Sequence, residues 1–140
     1  MKKFIYPLIV LLAFSFVSCE PDTTTPDENP DTDIRDKFVA SWLCNETSKL
    51  NGQSTFTVAI SLNPSNSSEV LIANFYLFGN DEKARALVTG NSITIPSQSF
   101  CNHIISGSGF IDNNKTTINW DYYVNDGQQT DTCSAVYTKK

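Results

Sequence analysis

The residues best suited to chemistry in this chain are Cys101 and His103, two apart in the stretch Phe100-Cys101-Asn102-His103. A thiol and an imidazole on one face of a strand can form an activated nucleophile. No neighbouring residue orients the ring, however, and His103 is the single histidine of the chain. A metal centre fares no better. Cys44, Cys101, Cys133 and one histidine match no zinc-ligand spacing. Gly107-Ser108-Gly109 lacks the helix that follows a phosphate loop. The expectation is a non-enzymatic protein with no catalytic residue, no metal and no cofactor.

One cysteine does carry a legible chemistry. Lys2 and Lys3 precede an apolar run from Phe4 to Phe16, interrupted at Pro7 and Ser15. The run is shorter than the roughly 20 apolar residues of a membrane-spanning helix and has the form of a secretory h-region. It closes as Phe16-Val17-Ser18-Cys19, with Phe16 where leucine is usual. This resembles the lipobox of bacterial lipoproteins. The resemblance implies removal of residues 1–18 and acylation of Cys19. Two or more acyl chains hold a protein on a membrane without a spanning helix.

Residues 20–36 carry seven acids and one base, a net charge of −6, with three prolines and Ile34 as the one large apolar side chain. Such a segment cannot bury enough surface to offset its ordering entropy. It is expected to be an extended, self-repelling tether reaching roughly 50 Å, so that residues 19–36 form the anchor and its leash. Residues 37–140 hold eight acids and seven bases, net −1, which leaves no basic footprint for nucleic acid. Acidic residues close behind a lipidated cysteine resemble the surface-export signal of Bacteroides-type lipoproteins. That likeness implies an outer-membrane location, with the cell surface favoured over the periplasmic face.

The remaining residues show no 3.6-residue periodicity. Short alternating runs are separated by Asn, Asp, Gly and Pro clusters, which predicts eight strands near 38–47, 54–62, 69–78, 82–89, 92–96, 103–111, 116–124 and 130–138. Ile118, Trp120, Tyr122 and Val124 share one face of the seventh; Phe56, Val58, Ile60 and Leu62 share one face of the second. The fold class is all-β: an antiparallel up-and-down meander closed into a small barrel, because closure removes the exposed edges. A β-sandwich is the runner-up. The interior is expected to receive Trp42, Phe56, Ile60, Ile93, Ile95, Phe110, Ile118, Trp120, Tyr122 and Tyr137. Strand three, "VLIANFYLF", reads as apolar on both faces apart from Asn74, which suggests an outer patch for a protein partner.

Eight meandering strands entered by Ala40-Ser41-Trp42 resemble a lipocalin, although Trp120-Asp121 reverses that family's Thr-Asp-Trp order. The segments "ITIPSQSF", "IISGSGFI" and "DTCSAVYTKK" are similar to those of small uncharacterised lipocalin-like lipoproteins of Bacteroides and relatives. The resemblance implies fold and location and no particular activity.

Export implies an oxidising compartment, where one disulfide is expected. First and last strands are neighbours in a closed meander, so Cys44–Cys133 is the expected pair, with Cys101 the odd thiol or a replacement for either partner. The same geometry puts the loops near 48–53, 79–82, 96–102 and 125–129 at the end away from the tether. That end offers Lys49, Asn51, Asn80, Gln98, Phe100, Asn102, His103, Asp126 and Gln128. Two functions stay open. A barrel with a pocket would bind a small apolar or glycan ligand through Asn74, Trp120 and Tyr122. A filled barrel would be an interaction module for another envelope protein.

Overall fold

The computed structural model describes residues 32–140. The expected signal segment, Cys19 and most of the expected tether lie outside the described residues. Eight strands follow in order: β1 (Ala40–Ser48), β2 (Gly52–Leu62), β3 (Glu69–Ala73), β4 (Lys83–Thr89), β5 (Ser92–Phe100), β6 (His103–Ile111), β7 (Thr117–Asn125) and β8 (Thr130–Lys139). Each pairs antiparallel with the next, and β1 pairs with β8, so the meander closes into a barrel.

Alternation drives the closure. In β1, Trp42, Cys44, Glu46 and Ser48 turn inward; in β7, Ile118, Trp120, Tyr122 and Val124 do the same; in β8, Asp131, Cys133, Ala135 and Tyr137 complete the set. Turn chemistry fixes the hairpins. Between β5 and β6, Cys101 and Asn102 both have positive φ, 47° and 62°, the signature of a two-residue hairpin turn matched to strand twist.

The base of the barrel is capped by residues expected to belong to the tether. Arg35 is buried and donates to the carbonyl oxygens of Asn66 and Glu69, each at 2.9 Å, while its guanidinium pairs with Asp33. Phe38 is fully buried, and its carbonyl accepts the Trp42 indole N–H at 2.8 Å. The folded part thus begins ahead of Lys37. Lys139 Nζ sits 5.6 Å from the Trp42 ring centroid, closing the base with a cation over the indole.

Four further expectations are corrected. First, β3 ends at Ala73. Asn74, Tyr76 and Leu77 take φ of 57°, 53° and 62°, and a 3-10 turn spans Phe75–Leu77. The chain therefore folds over the barrel mouth, and Phe75 is fully buried instead of facing outward. The apolar outer face expected on strand three reduces to Leu77, which is exposed. Second, Phe110 points to solvent, 52% exposed, and Ile105 and Ile111 fill the core in its place. The inward positions between them are Gly107 and Gly109. A Cβ on Gly107 would lie 2.4 Å from the Tyr122 Cβ, and one on Gly109 2.7 Å from the Trp120 ring. Two glycines make room there for two large aromatic residues.

Third, β5 runs on to Phe100 through a bulge between Ile95 and Gln98. Pro96 has no N–H for the β4 ladder, and the Gln98 side chain substitutes. Gln98 Oε1 accepts from the Arg85 N–H at 3.0 Å, and Gln98 Nε2 donates to the Arg85 carbonyl at 2.7 Å. Fourth, Cys44 and Cys133 are free thiols. Register explains this: Cys44 stands opposite Tyr137, and Cys133 stands opposite Ser48. Four residues of strand separate them, about 13 Å at the usual rise, well beyond disulfide reach.

Candidate functional site

The upper half of the barrel holds a polar network inside an apolar wall. Glu46 and Asp131 both sit at inward positions and are buried, 5% and 1% exposed. The Tyr122 hydroxyl donates to Glu46 Oε2. Asp131 Oδ2 accepts from the hydroxyls of Ser48 at 2.5 Å and Tyr76 at 2.6 Å, and Oδ1 accepts from the Leu50 N–H at 3.1 Å. These bonds tie the β1–β2 loop, the β3–β4 loop and β8 into one rim.

The two buried acids are shifted in opposite directions. Burial pushes the Glu46 carboxyl above the usual carboxylate range, and the Tyr122 and Ser54 hydroxyls only partly offset this. Burial also acts on Asp131, but hydrogen bonds from Ser48, Tyr76 and Leu50 outweigh it and hold the carboxyl below its ordinary value. Deeper in the barrel, burial pushes the Cys44 thiol up to about 12. The Tyr137 hydroxyl and the Trp120 indole N–H are buried without hydrogen-bond partners among the described residues.

Phe75 fills the space above Tyr122. Its ring centroid lies 4.7 Å from that of Tyr122 and 6.3 Å from that of Phe100. A pocket of about 250 Å³ opens at the mouth, with Asn51, Tyr76, His103, Asp126, Gln129 and Asp131 around it and Leu50 and Val124 as its apolar wall. Three loops of this end contribute, together with His103 at the start of β6 and the β7 and β8 residues Val124 and Asp131. The volume falls just below the range typical of drug-sized ligands, which suits one small molecule.

The expected mouth residues divide. Asn51, His103 and Asp126 line the pocket. Phe100 is core, and Gln98 is engaged with β4. The expected ligand contacts lie elsewhere. Asn74 is committed to its own loop: Nδ2 donates to the Thr57 carbonyl at 2.8 Å, and Oδ1 accepts the Gly79 N–H at 3.0 Å. Tyr122 is core, locked to Glu46. Trp120 is core too, packed on Tyr137 beneath a shallow hollow of about 240 Å³ on the outer wall, bounded by Asn45, Asn119, Ser134 and Val136.

Sequence reasoning missed Tyr76, Gln129 and Asp131. The signal for Asp131 was present, since it shares parity with Cys133, Ala135 and Tyr137. Tyr76 gave no such signal, because its position depends on a left-handed backbone that bulky residues rarely adopt.

Cys101 and His103 do not form a nucleophile pair. Cys101 occupies the hairpin turn with Glu82 beside its thiol, and the His103 Nδ1 lies 2.7 Å from the Cys101 carbonyl oxygen. The imidazole packs against Phe78, centroids 4.7 Å apart. Among the described residues, no group of three or more His, Cys, Asp or Glu side chains converges to hold a metal ion.

No protein-family profile matches the chain, and no curated protein sequence does. Among solved structures it is similar to a redesigned β-barrel, at 11% identity and a TM-score of 0.56, over 79% of this chain and 97% of that one. A second similar structure is EF1p2_mFAP2b bound to DFHBI, at 12% identity and a TM-score of 0.49, over 78% of this chain and all of the other. The first likeness agrees with the closed eight-stranded barrel.

Proposed function

We propose that this protein is a lipid-anchored, non-enzymatic envelope lipoprotein that holds a small-molecule binding pocket away from the membrane. The anchor is Cys19 at the end of the apolar run, and the acidic segment is its leash. The location that goes with this reading is the bacterial outer membrane, cell surface favoured. The observation that carries the binding role is the mouth pocket, lined from three loops and the ends of β6, β7 and β8, opposite the Arg35 cap. Phe75 occupies the upper interior, so the reading moves the ligand from the barrel's centre to its rim. The filled interior also favours a second reading, a scaffold that binds an envelope protein, but the apolar patch that would serve it is reduced to Leu77.

Native mass spectrometry of the protein purified from envelopes tests the binding role. The expected result is a small adduct, lost when Gln129→Trp blocks the mouth. An adduct that survives this block, or a clean unliganded mass in both proteins, would contradict it.

A further inference from the structure

The mouth pocket has a marked chemical bias. Asp126 and Asp131 both line it, and among the described residues no lysine or arginine pairs with either. Lys49 belongs to the same end but does not line the pocket. Each aspartate is held in its charged form by hydrogen-bond donors: the backbone N–H groups of Gln129 and Gln128 from its own loop for Asp126, and Ser48, Tyr76 and Leu50 from two other segments of the rim for Asp131.

Neither carboxylate is saturated. Asp126 Oδ1 accepts the N–H groups of Gln128 and Gln129, each at 2.8 Å, while Oδ2 accepts no bond among the described residues. Among the described residues Asp131 Oδ1 accepts the Leu50 N–H alone, and a carboxylate oxygen has room for two donors. Tyr76 stands at the wall. Its hydroxyl donates to Asp131 and accepts from Asn51 Nδ2 at 2.6 Å, so the ring is fixed from both sides. An aromatic face beside uncompensated carboxylates attracts a cation by charge and by the ring quadrupole.

We propose that the mouth pocket takes a small organic cation, an ammonium group carried on an apolar or aromatic body. The ammonium would meet Asp131 and Asp126, and the body would lie along Leu50, Val124 and the Tyr76 ring. This rests on the reading of the mouth as the binding site and names its ligand class. His103 also faces the pocket near Asp126.

Two matched probes test this: phenethylamine, which is cationic, and 2-phenylethanol, its neutral counterpart. Binding to the purified protein is followed by calorimetry and by amide shifts of Asn51, His103 and Gln129. The amine is expected to bind more than about tenfold more tightly than the alcohol. Asp126→Asn, whose amide oxygen can still accept the loop N–H groups, should weaken the amine about threefold and leave the alcohol unchanged. Asp131→Asn should cost more than about tenfold. If that variant unfolds, Asp126→Asn still decides. Equal binding of both probes at the mouth overturns the cation inference and leaves the mouth as a site. Mouth resonances that respond to neither probe overturn both.

Discussion

Cys133 lies opposite Ser48 across the β1–β8 seam, and Cys44 lies opposite Tyr137. The stagger that closes the barrel thus carries the two interior thiols apart. Both are buried, and burial raises both thiols, that of Cys44 to about 12. The expected outcome is that native protein gains one alkyl group from iodoacetamide, at half-exposed Cys101, and three in denaturant once Cys19 is acylated. Intact mass should not change on reduction. A two-dalton gain on reduction, mapped to Cys44 and Cys133, would show that the seam has a different register.

Gly107 and Gly109 face Tyr122 and Trp120 at distances that leave no room for a methyl group. Gly107→Ala would press on the Asp121 carbonyl oxygen at 2.7 Å as well as on the Tyr122 backbone, neither of which can swing away. Overpacking of this kind costs about 1–3 kcal/mol. Urea unfolding should show a lower midpoint with an unchanged slope, and Gly90→Ala is a poor control because its φ is 57°. Ser108→Ala, at an exposed position between the two glycines, should be near neutral.

Phe75 is a core residue supplied by a loop. Phe75→Ala should therefore cost about 3–5 kcal/mol, as for a buried aromatic truncated in a strand. Leu77→Ala, on the same turn but exposed, should cost under about 0.5 kcal/mol. Equal, small losses would mean that the loop does not pack into the mouth.

Glu46 and Asp131 should give pH dependences of opposite sign. The folded-state pKa of Glu46 is raised, so its contribution is fully present below the unfolded value and is lost as pH rises through the folded one. Glu46→Gln should remove that loss and make the protein relatively more stable at neutral pH. The folded-state pKa of Asp131 is lowered, so its contribution is present above the unfolded value and lost as pH falls through the folded one. Asp131→Asn should cost about 2 kcal/mol at neutral pH, from weakened bonds to Ser48, Tyr76 and Leu50, and much less in acid. Denaturant midpoints measured from pH 3 to 8 for the two variants check both slopes.

Much of the barrel was legible in sequence, and the reasons for the gaps are physical. Strands β1, β7 and β8 alternate strictly, so their inward sets could be read directly. In β6 the inward residues include two glycines, which carry no hydrophobic signal, while Phe110 and Ile104 point outward and carry a strong one. Parity was therefore read from the wrong face. The β3–β4 loop failed for a related reason. "NFYLF" has strand composition, and nothing local announces three non-glycine residues with positive φ. The network at the mouth holds that shape through Tyr76 and Asp131, and such contacts are made only once β8 is in place.

The most direct test of the central claim is a nitrogen–proton correlation spectrum of the protein titrated with a panel of small neutral, acidic and cationic molecules. Shift changes for any binder should cluster at Asn51, Tyr76, His103, Asp126 and Gln129, with Trp120 and Ile95 unmoved. Changes centred on Trp120 and Ile95 would mean that ligand enters the barrel interior, and the mouth would then be only its rim.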